Sequence, residues 1–206
     1  IIVVRSMDNK DRWIMSLDLS SGETNLLDRQ RDEAWIGGPG IGGWNFSPGN
    51  IDWIDEQRFY FQSEESGYSH LYTYNIKSKK KEQITSGNWE VRNAWLNAGK
   101  DKFYFISNEV EPGQQHFYQM DLNGKNKEKL TQKEGSYQIH MSPNEESIVA
   151  LYSNQNTPWE LYSLDVKNGI ETKITNSTTA EFNGYPWRAP GVTTFEARDG
   201  AKVHAR

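Results

Sequence analysis

The sequence predicts an all-β fold, a partial β-propeller of about four four-stranded antiparallel blades cut from a larger ring. Short runs of alternating apolar and polar residues recur along the 206 residues, bounded by Gly, Asn, Asp and Ser. These runs repeat with a period of about 45 residues, the length of a propeller blade. The 8 Trp and 10 Tyr favour a core of large flat side chains between sheets.

The repeat justifies the blades in chain order. Three full copies are visible, and each runs from a strand of large apolar residues to a short strand ending in Ile/Leu-Thr, at 59–85, 103–131 and 148–175. A further strand candidate precedes each copy, at 51–54, 91–96 and 137–141. A weaker copy, RWIMSLDLSSGETNLL at 12–27, comes first. We therefore expect a propeller segment over residues 1–190, with blades at 1–35, 50–86, 90–132 and 136–176.

A glycine-rich stretch, IGGPGIGGWNFSPGN at 36–50, interrupts the repeat between the first and second blades. A phosphate-binding loop would lead into a helix with Lys-Ser/Thr or an acidic partner in a βαβ unit, and neither follows here. The pattern favours a flexible connection between blades. The alternative is a loop that reaches into the central channel, where Trp44 would offer an aromatic face to a ligand.

The last 15 residues, VTTFEARDGAKVHAR, are typical of a hairpin that turns at Asp199-Gly200, where glycine can adopt a positive φ. A lone hairpin is marginal in water because nothing packs on it. We expect residues 191–206 to be a linker into a further domain. Residues past about 190 are then expected to be poorly packed, or paired with a neighbouring chain.

Residues alone indicate no self-sufficient catalytic centre. No G-x-S-x-G occurs, and the nearest sequence, GYSHL at 67–71, lies in a repeat strand, so Ser69 is interpreted as structural. Of the four histidines, His70 and His116 occupy equivalent blade positions, which favours equivalent packing roles over a metal or catalytic site. The acidic pairs at 64–65 and 145–146 fall in predicted loops and are interpreted as solvated turns.

Composition excludes several classes of function. A net charge of −5 with scattered basic residues argues against nucleic acid, and the one compact cluster, Lys77 to Lys81, is interpreted as a hairpin loop. No apolar run approaches the roughly 20 residues of a membrane span. Without cysteine there is no disulfide and no thiolate metal site, and the compartment stays open. We expect no cofactor.

Residues 63–109 carry a resemblance to a known family. SEESGYSHLYTYNI, then ITSGNWEV and FYFISNEVEPGQQHFYQMDL, resemble the propeller of the dipeptidyl peptidase IV branch of the prolyl oligopeptidase (S9) serine peptidases. MSPNEESIVALYSN at 141–154 is similar to the Ser-Pro-Asp-Gly strand motif of these propellers, with Asn144-Glu145 in place of Asp-Gly. WELYSLDV at 159–166 resembles the strand that closes their last blade. The likeness extends more weakly over residues 1–206.

The resemblance implies an eight-bladed ring that caps an α/β-hydrolase domain, whose Ser-Asp-His triad cleaves short peptides after the penultimate residue. The propeller would gate and position the peptide, and this chain would hold no triad. Glutamates that bind the peptide amine stand in a different sequence context in the family, so that role does not pass to Glu64-Glu65. Trp44 corresponds to an aromatic residue that lines the substrate pocket. FEARDG at 195–200 resembles the junction into the hydrolase domain.

The predicted partners are therefore a peptide substrate, through the full-length protein, and a hydrolase domain of the same chain. Homo-oligomers are compatible with the sequence, and the family favours an extracytoplasmic location. A non-enzymatic, TolB-like propeller that binds proteins through its faces is the alternative function. A propeller lectin or glycosidase scaffold is a weaker third option.

Overall fold

The computed structural model describes residues 1–43 and 47–205. Its elements are β-strands, apart from one five-residue helix. Contacts divide the chain into two compact units, which comprise Ile1–Glu109 with Tyr118–Lys129, and Val110–Phe117 with Leu130–Arg206. Within each sheet, every strand pairs with its neighbour in sequence, so the sheets follow one another along the chain. This confirms the predicted all-β class.

The first unit begins with a three-stranded antiparallel sheet, whose strands are β1 (Ile2–Arg5), β2 (Asp11–Leu17) and β3 (Thr24–Arg31). A four-stranded sheet follows, formed by β4 (Ile51–Trp53), β5 (Arg58–Ser63), β6 (His70–Asn75) and β7 (Lys80–Gln83). The next comprises β8 (Val91–Leu96), β9 (Lys102–Ser107), β10 (His116–Asp121) and β11 (Glu128–Lys129), with β10 contributing residues to both units. The strand candidates at 51–54 and 91–96 are thus confirmed.

Aromatic side chains of the inner strands form the core of this unit. Phe59 and Phe61 of β5 pack beside Tyr72 and Tyr74 of β6, with Phe61 stacked on Tyr72 at a centroid distance of 5.7 Å. A second cluster continues through β8, β9 and β10 and includes the fully buried Phe103. Burying each aromatic side chain stabilises the fold by about 1.5–3 kcal/mol. The high aromatic content therefore fills the space beside successive sheets.

The second unit carries a four-stranded sheet of β12 (Ser136–Met141), β13 (Ser147–Asn154), β14 (Thr157–Asp165) and β15 (Glu171–Lys173). A short helix, α1 (Ala180–Gly184), was not predicted, because five residues are too few to show helical periodicity. The hydroxyl of Thr179 caps it by accepting from the amide of Phe182. No residue of α1 is buried.

The predicted terminal hairpin is present. Strand β16 (Thr193–Glu196) pairs with β17 (Lys202–Ala205), and Gly200 in the turn has φ of +82°. From 191 to 205 every residue is exposed except Ala197 and Ala205, which are partly buried, and this confirms the expected poor packing.

A repeated contact, which we call the threonine latch, closes each four-stranded sheet. The hydroxyls of Thr85, Thr131 and Thr175, which follow the outermost strands, accept hydrogen bonds from the amides of Leu71, Phe117 and Leu161 at 3.0, 3.0 and 2.9 Å. Each of these threonine hydroxyls also hydrogen-bonds the side chain of the residue that precedes the amide donor. These residues are His70, His116 and Glu160, respectively. The two histidines thus do equivalent structural work, as their repeat positions predicted.

Candidate functional site: the glycine-rich segment

The candidate site is the glycine-rich segment between β3 and β4, residues 36–50, which stands outside the repeat. Its first half is held by Arg5 at the end of β1, whose guanidinium donates to the carbonyl oxygens of Ile36 and Gly42. Its second half is held by Arg12 of β2, whose Nη2 donates to the carbonyl oxygen of Pro48 at 2.8 Å. Arg5 therefore binds the first half of the segment, and Arg12 binds the second half.

Gln62, at the end of β5 and fully buried, joins the segment to the second sheet. Its Nε2 lies 3.2 Å from the carbonyl oxygen of Pro39 and 2.8 Å from that of Val91. Its Oε1 accepts from the side-chain amide of Asn50, and its backbone carbonyl accepts from Arg12 Nη1 at 2.8 Å. One buried glutamine therefore fixes both halves of the segment to the core.

Glycines let the two halves approach each other closely. Gly42 has φ of +79° and Gly49 of +82°, and a methyl group added at either would overlap backbone atoms of the other half. The amide of Gly43 donates to the carbonyl oxygen of Ser47 at 2.9 Å, and the amide of Asn50 donates to Gly40 at 2.7 Å. The segment is thus a closed loop whose residues 43 and 47 are held together. Ile41 inside it is fully buried.

The expected flexible connection is therefore wrong for the described residues of this segment. A flexible connection leaves its backbone polar groups to water. Here the carbonyl oxygens of Ile36, Pro39, Gly42 and Pro48 all accept from side chains of the sheets. Buried carbonyls need such partners, and the arginines and the glutamine supply them.

Burial dominates the electrostatics of the two arginines. Burial, with a smaller effect from the nearby charge of Arg5, lowers the pKa of Arg12 to about 10, although Asp28 and Glu64 oppose the shift. The pKa of Arg5 is also lowered by burial, and Glu64 opposes this. The bonds of both guanidiniums described here go to carbonyl oxygens and not to carboxylates. Their charges are therefore only partly compensated.

Two clefts of opposite character border the segment. One, of about 280 Å³, has Trp35 in its wall and carries three carboxylates, those of Asp32, Glu64 and Glu65. Glu64 accepts from the amide of Gly37 at 3.2 Å, and Glu65 pairs with Lys81 at 2.6 Å. The other, of about 530 Å³, is lined by Arg5 and by residues flanking 44–46. We call these the acidic cleft and the Arg5 cleft.

The predicted site residue, Trp44, lies outside the described residues. Ser69, interpreted as structural, is fully buried and donates to the carbonyl oxygen of Pro39 at 2.7 Å, so it too anchors the segment. Glu64 and Glu65 lie outside the strands, as expected, and contact different partners. The pair at 145–146 also lies in a turn, where Glu146 binds Lys167 at 2.8 Å.

Sequence reasoning missed Arg12 and Gln62, the two residues that carry most of the anchoring. Both are polar residues in strands, and nothing in the local pattern distinguishes them from exposed polar positions. The one available signal was the glycine spacing, because glycines at close backbone approaches require partners on the other side.

Within the described ranges, no cluster of histidine and carboxylate side chains is arranged to bind a metal ion. In the same ranges, no helix has the length and apolar character needed to traverse a lipid bilayer.

Consecutive antiparallel sheets, each built from strands in chain order, define the chain as a segment of a β-propeller. The chain belongs to the family of the dipeptidyl peptidase IV (DPP IV) N-terminal region, whose model matches residues 2–159. This confirms the family that the sequence motifs at 63–109 resemble.

Comparisons with individual proteins support the same family. The chain is 27% identical over 194 residues to dipeptidyl peptidase 4 of Arthroderma otae, covering 90% of this chain and 24% of that protein. The crystal structure of Porphyromonas gingivalis dipeptidyl peptidase 4 has a similar fold, with a TM-score of 0.71 and 20% identity. That of a putative dipeptidyl aminopeptidase IV from Bacteroides ovatus gives 0.73 and 19%. Both alignments cover 98% of this chain, and 28% and 31% of the solved chains.

The chain thus spans about a quarter of the length of the curated relative. The fold likeness confirms the predicted partial propeller.

Proposed function

We propose that this chain is the substrate-gating and positioning propeller segment of a serine exopeptidase of the dipeptidyl peptidase type, which hydrolyses short peptides. The observation that carries the proposal is the anchoring of the glycine-rich segment. A connection that only links two blades needs no buried arginine or glutamine. Three buried or half-buried side chains, from β1, β2 and β5, nevertheless donate hydrogen bonds to backbone carbonyl oxygens of its described residues.

Trp44 is the proposed contact with substrate. The support is its place in the sequence beside Gly43, whose amide donates to the carbonyl oxygen of Ser47. Aromatic residues suit this role because they offer a large contact area with few rotatable bonds.

The catalytic residues are proposed to reside elsewhere in the full-length protein, in a hydrolase domain with a Ser-Asp-His triad. We propose that residues 191–206 lead into that domain through the β16–β17 hairpin. The support is the exposure of Phe195 and Val203, 55% and 38%, since apolar side chains on both strands of a hairpin need a packing partner.

The test compares the 206-residue chain with the full-length protein on a Xaa-Pro chromogenic amide. We expect the full-length protein to cleave it and the chain alone to be inactive. In the full-length protein, Trp44→Ala should raise KM by about tenfold, because losing an aromatic contact costs about 1–2 kcal/mol. Trp159→Ala is the matched control, because Trp159 is a 45% exposed tryptophan of β14.

Three results would overturn the proposal. Cleavage by the purified chain, free of contaminating protease, would place the chemistry in the propeller. A full-length protein without peptidase activity would favour a protein-binding propeller instead. Equal KM values for the two tryptophan variants would remove Trp44 from the substrate path.

A further inference from the structure

The stretch from 176 to 205 is folded locally but has no core. None of these residues is buried, although the stretch contains α1 and the β16–β17 hairpin. A five-residue helix and a two-stranded hairpin are both too small to be stable in water unless they pack on something else. The side chains of Tyr185, Trp187 and Phe195 are 60%, 48% and 55% exposed. The stretch therefore carries apolar area that requires a packing partner beyond its own residues.

Three aromatic side chains at the end of α1, those of Phe182, Tyr185 and Trp187, form a group that we call the aromatic cluster. The ring centroid of Trp187 lies 4.8 Å from that of Phe182 and 4.6 Å from that of Tyr185. The indole Nε1 of Trp187 donates to the carbonyl oxygen of Phe182 at 2.9 Å, and its amide donates to that of Tyr185 at 2.9 Å. Pro186 fixes the backbone between them. The cluster is therefore ordered before any partner binds, which lowers the entropy lost on binding.

The composition of the aromatic cluster is typical of a contact between proteins. Trp, Tyr and Arg are the residues that most often dominate the binding energy of interfaces, and their side chains usually fill desolvated pockets of the partner. Arg188 directly follows Trp187 and is exposed. An exposed guanidinium favours a carboxylate on the surface that it faces. The expected partner therefore offers an apolar pocket with an acidic group at its rim.

A second copy of this chain fits that description poorly. The acidic cleft, of about 280 Å³, is lined by three carboxylates. A larger groove of about 630 Å³ lies between the second and third sheets and is lined by charged side chains such as those of Lys100 and Asp101. Covering these charges with an indole ring would desolvate them without a compensating pair.

The domain proposed to follow this chain fits better. The aromatic cluster lies just before the β16–β17 hairpin, through which the chain is proposed to lead into that domain. Phe195 and Val203 of the hairpin are also exposed, so the unpacked apolar residues continue along the chain towards it. The region matched in the curated relative is 24% of that protein, which thus contains additional polypeptide.

We propose that the aromatic cluster docks into an apolar pocket of the domain that follows residue 206 in the full-length protein. Trp187 is the central contact, and Arg188 faces a carboxylate at the rim of the pocket. This rests on the proposed function, which supplies that domain, and it identifies the surface by which the propeller segment is fixed to it. A fixed contact at this point keeps the two domains in one orientation while a peptide is bound.

The first test is hydroxyl-radical footprinting of the 206-residue chain and of the full-length protein, read at single residues by mass spectrometry of peptides. In the chain, Tyr185 and Trp187 should be oxidised readily, because about half of each side chain is exposed. In the full-length protein their oxidation rates should fall by about tenfold, because central interface residues are fully desolvated. Leu19, which is 92% exposed between β2 and β3, is the control and should keep its rate.

Variants assign the docking to Trp187. Trp187→Ala should lower the Tm of the full-length protein by about 4 °C and that of the 206-residue chain by less than about 1 °C, because only the former loses an interface contact. Trp187→Phe should keep part of the difference, and Leu19→Ala should change neither Tm. If full-length Trp187→Ala fails to fold, the footprint of the natural protein still decides the question.

Unchanged oxidation of Trp187 in the full-length protein would overturn the proposal, and so would equal losses of Tm in the two proteins. Protection of Trp187 in the isolated chain that rises with its concentration would also overturn it, and would identify a second copy as the occupant. The Xaa-Pro amide assay decides the proposed function separately. A protected Trp187 in an inactive full-length protein keeps the docking surface and rejects the peptidase, and an exposed Trp187 in an active one does the reverse.

Discussion

The threonine latches and the glycine-rich segment are held by the same kind of hydrogen bond, but they differ in their role in the molecule. In both, a polar side chain from a strand bonds backbone that would otherwise be buried without a partner. The latch recurs at Thr85, Thr131 and Thr175 with nearly equal geometry, once in each four-stranded sheet. The arginine and glutamine anchors of residues 36–50 occur once. The repeated threonine contacts therefore belong to the scaffold, whereas the unrepeated arginine and glutamine contacts belong to the candidate site.

The latches themselves differ in one respect. His70 and His116 place Nδ1 at 3.0 and 3.1 Å from the threonine hydroxyl, whereas Glu160 accepts from Thr175 and also from Ser177. Because the carbonyl of Gly87 can only accept, His70 donates through Nε2 at 3.0 Å and accepts through Nδ1. Neutral histidine and charged glutamate therefore fill equivalent positions of the repeat.

The largest expected effect is on the closed loop itself. Gly42→Ala would force a methyl group onto backbone atoms of Ser47 and Gly49 while φ stays positive. We expect a loss of about 4 kcal/mol in the free energy of unfolding, measured by urea denaturation. The control is Gly22→Ala, which has a similar φ of +75° and open space around it, and should cost about 1 kcal/mol. Equal losses would mean that the close approach is not maintained in solution.

Next in size is the buried anchor. Arg12→Met keeps much of the volume but removes the donors to the carbonyl oxygens of Pro48 and Gln62. Unsatisfied buried acceptors should lower the free energy of unfolding by about 2–3 kcal/mol. Arg29→Met, which removes a 50% exposed arginine paired with Asp11, should cost less than about 1 kcal/mol. If Arg12→Met instead raised the free energy of unfolding, burial of the charge would destabilise the fold more than its hydrogen bonds stabilise it.

Removing the hydroxyl of one threonine latch should lower the free energy of unfolding less than removing the Arg12 anchor. Thr131→Val keeps the shape and removes the hydroxyl that accepts from the amide of Phe117. We expect a loss of about 1–2 kcal/mol, because one buried amide is left without a partner. Thr172→Val on the exposed face of β15 is the control and should stay within about 0.5 kcal/mol. If the two variants lose equal stability, the latch hydroxyl contributes nothing specific.

The smallest expected effect is a difference in pH dependence between latches. Burial lowers the pKa of His70 below 6.5, so the unfolded chain binds its proton first. Its contribution is complete above pH 6.5 and is lost as pH falls through that region. The pKa of Glu160 is lowered from 4.5, chiefly by the hydroxyl of Thr175, so its contribution persists until pH falls below 4.5.

Thermal melts between pH 7 and 3 separate the two windows. His70→Gln should flatten the decline of Tm that begins near pH 6.5, and Glu160→Gln should flatten the one below pH 4.5. The two flattened regions should not overlap. A His70→Gln variant with the same slope as the natural chain near pH 6 would show that this histidine does not titrate on unfolding.

The sequence predicted the strands and threonines of the repeat, and it missed the order of the segment that lies outside the repeat. The strands at 51–53, 91–96 and 136–141, the hairpin at 193–205 and the alignment of Thr85, Thr131 and Thr175 all follow from local patterns. The order of the segment 36–50 does not, because its partners Arg12 and Gln62 come from distant strands and look like any polar strand residue. Long-range satisfaction of backbone carbonyls leaves no local trace apart from the glycines that permit it.

Steady-state kinetics of the full-length protein with Arg12→Met and Thr131→Val would most directly separate site from scaffold. Both variants lose a few kcal/mol at most, so both can be assayed while folded. If the glycine-rich segment positions the peptide, Arg12→Met should raise KM about tenfold, equivalent to about 1.4 kcal/mol, and Thr131→Val should leave it unchanged. Equal KM values for both variants and the natural protein would contradict a role of the segment in substrate binding.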